Sequence, residues 1–144
     1  MDIFIGYDSS TVEAYVACTG SIRENTTGTS PEVHSLNHRT LRKDNLLSRE
    51  WRIDETGQYW DVEDGRPFST EFSFSRFCTI PLARRMGISG WVMFCDSDFI
   101  FRNDVSQLFE YCQGYPDKAL MTVQFDWQPE EGAVKMDGRL QSQY

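Results

Sequence analysis

A run of five apolar residues, Trp91-Val92-Met93-Phe94-Cys95, stops at Asp96-Ser97-Asp98, and no other feature restricts the chain as much. Consecutive apolar positions predict a strand buried on both faces, as in the parallel sheet of an α/β protein. Side chains two apart at a strand end point to the same side, so Asp96 and Asp98 form a carboxylate pair at the edge of that sheet. Phe94 before the pair, and Phe99 and Phe101 after it, make an uncompensated charge there costly. A divalent cation relieves the repulsion, and hard carboxylate oxygens suit Mg²⁺ or Mn²⁺. The plainer alternative is that the two Asp residues only finish a strand and cap a turn, since Asp-x-Asp is common by chance.

The start of the chain reads the same way. Ile3-Phe4-Ile5 forms a short central strand ending at Gly6-Tyr7-Asp8-Ser9-Ser10. A helix follows, with Ser10 and Glu13 in capping-box spacing and Val12, Tyr15, Val16, Cys18 and Ile22 as its apolar stripe, ended by Asn25 and Gly28. Strand, loop and helix in that order open an α/β fold. Asp8 lies just beyond the first strand, where such sheets place their ligands. There Gly6 permits close backbone approach and Tyr7 offers a ring to stack on a base. Asp8 and Ser10 could equally serve as turn and cap residues. Neither a G-x-G-x-x-G nor a G-x-x-x-x-G-K-[ST] motif is present, which disfavours a Rossmann dinucleotide site and a P-loop.

Further along, Glu32 to Asn37 alternates as a second strand, and Thr40 to Arg49 holds a short helix. Asp54 to Pro67 is polar and acidic, and reads as a long loop. A helix starts near Ser69 or Thr70, with Glu71 in its first turn and Phe72, Phe77 and Ile80 as its buried stripe; it breaks near Pro81 and resumes to Met86 before Gly87. Arg76 lies on this helix, with Ser73 one turn before it on the same face. An Arg aimed at a carboxylate and metal site can pair with a diphosphate; otherwise it pairs with Glu71 or solvent. Asn103 or Asp104 caps a helix from Val105 to Cys112, and Ala119 to Val123 reads as another strand.

Composition narrows the function classes. Fourteen Lys and Arg against 22 Asp and Glu leave a net charge of −8, which repels phosphate backbones and argues against nucleic-acid partners. No apolar run is long enough to span a bilayer. The chain enters a strand at once rather than a leader, so the expected compartment is the cytoplasm. Cys18, Cys78, Cys95 and Cys112 form no C-x-x-C pair and read as buried free thiols. Asn25-Thr26-Thr27 reads as a polar turn, and His34 and His38 lack the frame of a zinc pair.

Taken together, Gly6-Tyr7-Asp8 after the first strand, the block Ser69-Thr70-Glu71-Phe72-Ser73-Phe74-Ser75-Arg76-Phe77, and Phe94-Cys95-Asp96-Ser97-Asp98 resemble GT-A-fold glycosyltransferases. The likeness is greatest to bacterial and viral proteins similar to glycosyltransferase family 8, and runs from Asp2 to about Trp127. The resemblance implies a three-layer α/β/α, Rossmann-like domain over residues 1–144 with a mainly parallel central sheet. It also implies transfer, with retention, from a nucleotide-sugar donor, usually a UDP-sugar, to an acceptor not identified here. Mn²⁺ or Mg²⁺ would bridge the donor diphosphate. Asp96 and Asp98 match the metal motif, Asp98 as the more direct ligand and Asp96 also facing the ribose, with Ser97 between them. Gly6, Tyr7 and Asp8 match the nucleotide-recognition strand end. Ser73 and Arg76 match the helix beside the diphosphate, and Asp126 a donor-sugar contact. Catalysis would rest on Asp98, through the metal, and on the fixed charge of Arg76.

The chain departs from that family downstream. No His follows Asp98, and the sequence ends at Tyr144, where further strands, a His ligand and a Lys are expected. The expectation is a shortened version holding the donor-binding half, whose open sheet edge favours self-association. Two rival readings are a non-catalytic nucleotide-sugar-binding or interaction module on the same scaffold, and a metal-dependent nucleotidyltransferase or phosphohydrolase.

Overall fold

The computed structural model describes residues 1–124 and 128–134. The chain divides into two compact units, one built from Met1–Ser48 and Thr70–Pro116, the other from Arg49–Ser69 and the described residues after Pro116.

The first unit is mixed α/β. Its sheet has three parallel strands in the order β2-β1-β6: β1 Asp2–Gly6, β2 Glu32–Leu36 and β6 Val92–Cys95. The register pairs Ile5 with Ser35 on one side and with Cys95 on the other. As expected of a central strand, Ile3, Phe4 and Ile5 are fully buried. Their alternation sorts them into two cores. Ile3 and Ile5 pack with Cys18 and Ile22 of α1 (Val12–Asn25), Cys95, Val105, and Phe109 of α5 (Ser106–Gln113). On the opposite face Phe4 packs with Leu36, Leu41 of α2 (His38–Lys43), Cys78, and Ala83 of α4 (Thr79–Arg85). Helices therefore cover both faces of the sheet.

Several local expectations are corrected. The N-cap of α1 is Thr11, and Ser10 makes no capping box because its hydroxyl is taken by Asp8. Val12 and Val16 are exposed; the buried side of α1 runs through Cys18, Thr19, Ser21 and Ile22. The second helix starts at His38, two residues early, because the Asn37 side chain accepts from the amides of Arg39 and Thr40. The Phe-rich helix is short: α3 (Phe72–Ser75) passes through a 3-10 turn at Arg76–Cys78 into α4. The break thus precedes Pro81, which sits in the first turn of α4, where its missing N–H costs nothing. The 3-10 turn rotates Phe77 and Ile80 outward, to 75% and 51% exposure, so neither joins the core. Gly87, at φ 74°, closes α4 in a Schellman motif, with Ile88 N donating to Ala83 O and Gly87 N to Arg84 O.

In the second unit, the expected long loop is an antiparallel meander, β3 Trp51–Ile53, β4 Tyr59–Asp61 and β5 Arg66–Phe68. Three-residue strands are too short to display an alternation, and the polar turns around Gly57 and Gly65 (φ 85° and 62°) dominate the composition. Trp51, Tyr59 and Phe68 meet ring to ring at 5.2–6.1 Å between centroids. Arg49 joins Asp61, Glu63 and Asp64, so one guanidinium gathers the acidic turn. The strand expected at Ala119 to Val123 is absent; those residues carry no regular structure.

The four cysteines are free, with Cys18, Cys78 and Cys95 buried. Among the described residues no helix is long and apolar enough to cross a membrane.

Candidate functional site

The topology locates a site before any side chain is considered. The connection from β1 to β2 runs through α1, on the Ile3 and Ile5 face. The connection from β2 to β6 includes α2 and α4, on the Phe4 face. Successive connections thus part to opposite faces, the topology in which α/β sheets place a ligand crevice, here beyond the carboxyl ends of β1 and β6. Because Ile5 pairs with Cys95, Gly6-Tyr7-Asp8 and Asp96-Ser97-Asp98 leave the sheet side by side at that crevice.

Arg76 joins this edge from the 3-10 turn after α3. Its Nη2 lies 3.5 Å from Asp96 Oδ1, close enough for an ion pair. The guanidinium stands over two rings, 5.6 Å from the centroid of Phe72 and 5.5 Å from that of Phe94. The contact is incompletely satisfied: Arg76 Nε and Asp96 Oδ1 are both buried without a hydrogen-bond partner. Burial pushes the Asp96 carboxyl above its ordinary range; Arg76 opposes the shift and Asp98 adds to it. Asp98 is exposed, while Ser97 between the two carboxylates is buried. The unused hydrogen-bonding capacity of this pair is buried, and Asp98, two residues on, offers the exposed carboxylate.

The resemblance implies a divalent cation, and the residues fit it in part. Asp96 and Asp98 would supply the hard oxygen ligands from one turn; Asp96 Oδ1 has no hydrogen bond to give up, though it is buried and ion-paired with Arg76. Among the described residues no group of three or more His, Cys, Asp or Glu is arranged to hold a metal ion. Phosphate oxygens and water would complete the shell, the arrangement Mg²⁺ commonly takes.

Asp8 has another position. It is 2% exposed, and its oxygens accept from the amide and hydroxyl of Ser10 at 2.8 and 2.6 Å and from the amide of Glu71 at 3.0 Å. Its carboxylate thus holds the backbone of the loop. Tyr7, directly after β1, is half-buried and edge-on to Tyr15 at 5.4 Å. Gly6 is where β1 meets α3: a Cβ there would lie 2.5 Å from Phe72 Cγ. The Ser73 hydroxyl accepts from Thr70 N at 3.3 Å, shaping the turn into α3. Asp126 lies outside the described residues.

Sequence reasoning missed three participants: Phe72 and Phe94, the rings beneath Arg76, and Glu71, which is 4% exposed. A Glu between Thr70 and Phe72 in an aromatic run carries a usable signal, since a carboxylate buried there requires partners. His34 and His38 do not form a pair. His34 bonds Asp2 at 2.9 Å, and His38 lies 3.6 Å from Glu71.

The sequence is 38% identical over 143 residues to "Protein CDI" of Arabidopsis thaliana, a match that takes in 99% of this chain and 47% of that protein. The chain thus spans about half the length of the curated relative it matches. No family model matches the sequence, and no solved structure matches it.

Proposed function

We propose that the first unit is a GT-A-type donor-binding domain of a metal-dependent glycosyltransferase, taking a nucleotide-sugar, in the first instance a UDP-sugar. The observation that carries the reading is the Arg76–Asp96 pair at the β1–β6 crevice, flanked by Tyr7 and Asp98. In this account Asp96 and Asp98 would hold Mn²⁺ or Mg²⁺, and the bound cation would supply charge neutralisation for a departing diphosphate. Arg76, fixed over Phe72 and Phe94, adds a positive charge that need not reorganise as the leaving group develops. Tyr7 offers a face for the base.

Titration calorimetry with UDP and a panel of UDP-sugars, with and without Mn²⁺, tests the reading. The expected result is binding that requires both metal and nucleotide and is lost in Asp98→Ala. Metal-independent or absent affinity refutes it. Sugar-transfer and donor-hydrolysis assays on the same samples separate an enzyme from a binding module. Turnover of a nucleotide triphosphate or phosphomonoester, indifferent to the sugar, would move the site to phosphoryl or nucleotidyl chemistry.

A further inference from the structure

We infer that Glu71 is a positioning residue for this site, a buried carboxylate that fastens the Tyr7–Ser10 loop to the segment presenting Arg76. The inference rests on the donor-binding reading for its ligand, though not for its structural part.

The fastening is reciprocal. Glu71 Oε2 accepts from the Ser9 amide at 2.9 Å, and Oε1 accepts from the Ser9 hydroxyl at 2.7 Å. In return, the Glu71 amide donates to Asp8 Oδ2 at 3.0 Å. The Asp8 carboxylate thus satisfies the Glu71 amide, and the Glu71 carboxylate satisfies the amide of Ser9, the residue after Asp8. Charge-assisted bonds of this kind are among the stronger ones available. Glu71 occupies the N-cap position of α3, yet its side chain makes no capping bond to its own helix. Its carboxylate is committed to the neighbouring loop instead.

The consequences reach the crevice through adjacent residues. Phe72, the next residue, packs against Gly6 so closely that no Cβ fits between them. The same ring lies beneath the Arg76 guanidinium. Loop, ring and guanidinium are therefore held as one piece. Loops beside a ligand site ordinarily open at little cost, and ordering one on binding subtracts from affinity. A loop fastened in advance avoids that loss, so Glu71 sets affinity without touching the ligand.

The test compares Glu71→Ala, Glu71→Gln and Ser9→Ala in the full chain. Backbone hydrogen exchange at residues 7–11 is read against β1, β2 and β6 as internal reference, and UDP affinity with Mn²⁺ is measured alongside. Glu71→Ala removes both bonds to Ser9; it is expected to raise exchange at residues 7–11 with the sheet unchanged, and to weaken UDP binding roughly tenfold, because the loop must then be ordered on binding. Glu71→Gln should recover most of both, losing only the charge assistance, because its amide oxygen accepts from Ser9 N–H and its amino group donates to the Ser9 hydroxyl. Exchange that is unchanged in Glu71→Ala, or raised equally through loop and sheet, overturns the inference, as does failure of Gln to rescue. Should Glu71→Ala not fold, Ser9→Ala decides: increased exchange confined to the loop supports the fastening, and none refutes it. Absence of UDP binding in the unaltered chain refutes the proposed function alone, and the exchange result then judges Glu71 by itself.

Discussion

Replacing Gly6 by Ala should damage the protein and its site together. An ideal Cβ at Gly6 falls 2.5 Å from Phe72 Cγ, 2.6 Å from Cδ2 and 3.0 Å from Cδ1. Carbon atoms rest at about 3.5–4.0 Å, so the ring must retreat by about 1 Å or more. Phe72 is buried, at 5% exposure, and the atoms struck lie near the root of the ring, so rotating the side-chain tip does not relieve the clash. Overpacking of this kind costs about 1–3 kcal/mol. For a chain of this length that is a fall of roughly 2–12 °C in thermal midpoint. Because Arg76 lies over the displaced ring, metal-dependent nucleotide affinity should fall as well. Gly20 provides the opposite control. It lies inside α1 with nothing within 4 Å of a built Cβ, so Gly20→Ala should stabilise by about 0.5–1 kcal/mol. A double-mutant cycle with Phe72→Ala completes the experiment: the Gly6→Ala penalty should shrink markedly once Cγ and both Cδ atoms are gone. Equal thermal midpoints for the unaltered chain and Gly6→Ala, or a penalty independent of residue 72, would refute the packing argument.

Two further predictions concern pH. Hydrogen bonds from the Thr56 hydroxyl and Trp60 Nε1 lower the Asp54 carboxyl to about 2; a group depressed below its unfolded value of about 3.9 stabilises the fold above that value and ceases to do so as pH falls through the folded one. The meander should therefore loosen between about pH 4 and 2, seen as a change in Trp fluorescence that Trp60→Phe diminishes and Asp54→Asn brings on at neutral pH; a signal flat to pH 2 contradicts this. Burial holds the His38 imidazole below its ordinary range, with Glu71 opposing and Arg39 and Arg42 reinforcing; the unfolded chain then binds the proton more readily, so stability should fall as pH drops through about 6.5. Denaturant midpoints from pH 7.5 to 5.5 should decline more in the unaltered chain than in His38→Asn, and parallel profiles would rule out a role for His38.

The first unit was readable in the sequence where several constraints agree. Ile3-Phe4-Ile5 and Val92 to Cys95 are apolar without alternation, which points to strands covered on both faces; both are paired strands of the sheet, fully buried in the central β1, whereas β6 lies at the end of the strand order with Val92, Met93 and Phe94 only half-buried. The strand ends then placed Tyr7, Asp8, Asp96 and Asp98 at one edge without any knowledge of contacts. The second unit was obscured because its strands are only three residues long and its stability comes from Trp51, Tyr59 and Phe68 meeting across strands. Phe77 and Ile80 were misplaced because helical spacing presumes an uninterrupted α-helix, and the 3-10 turn at Arg76–Cys78 changes the rotation per residue. Glu71 reads from the sequence only as a first-turn residue or a partner of Arg76, because its actual partners, Ser9 and Asp8, lie more than sixty residues away. Local pattern carries no record of such pairings.

Paramagnetic broadening by Mn²⁺ addresses the core of the account. With UDP present, substoichiometric Mn²⁺ should selectively erase backbone amide resonances at residues 6–9, 76 and 95–99, and Asp98→Ala should abolish the effect. Broadening spread over exposed carboxylates such as Glu63 and Asp64, equal with and without nucleotide, would contradict a metal-bridged diphosphate at this crevice.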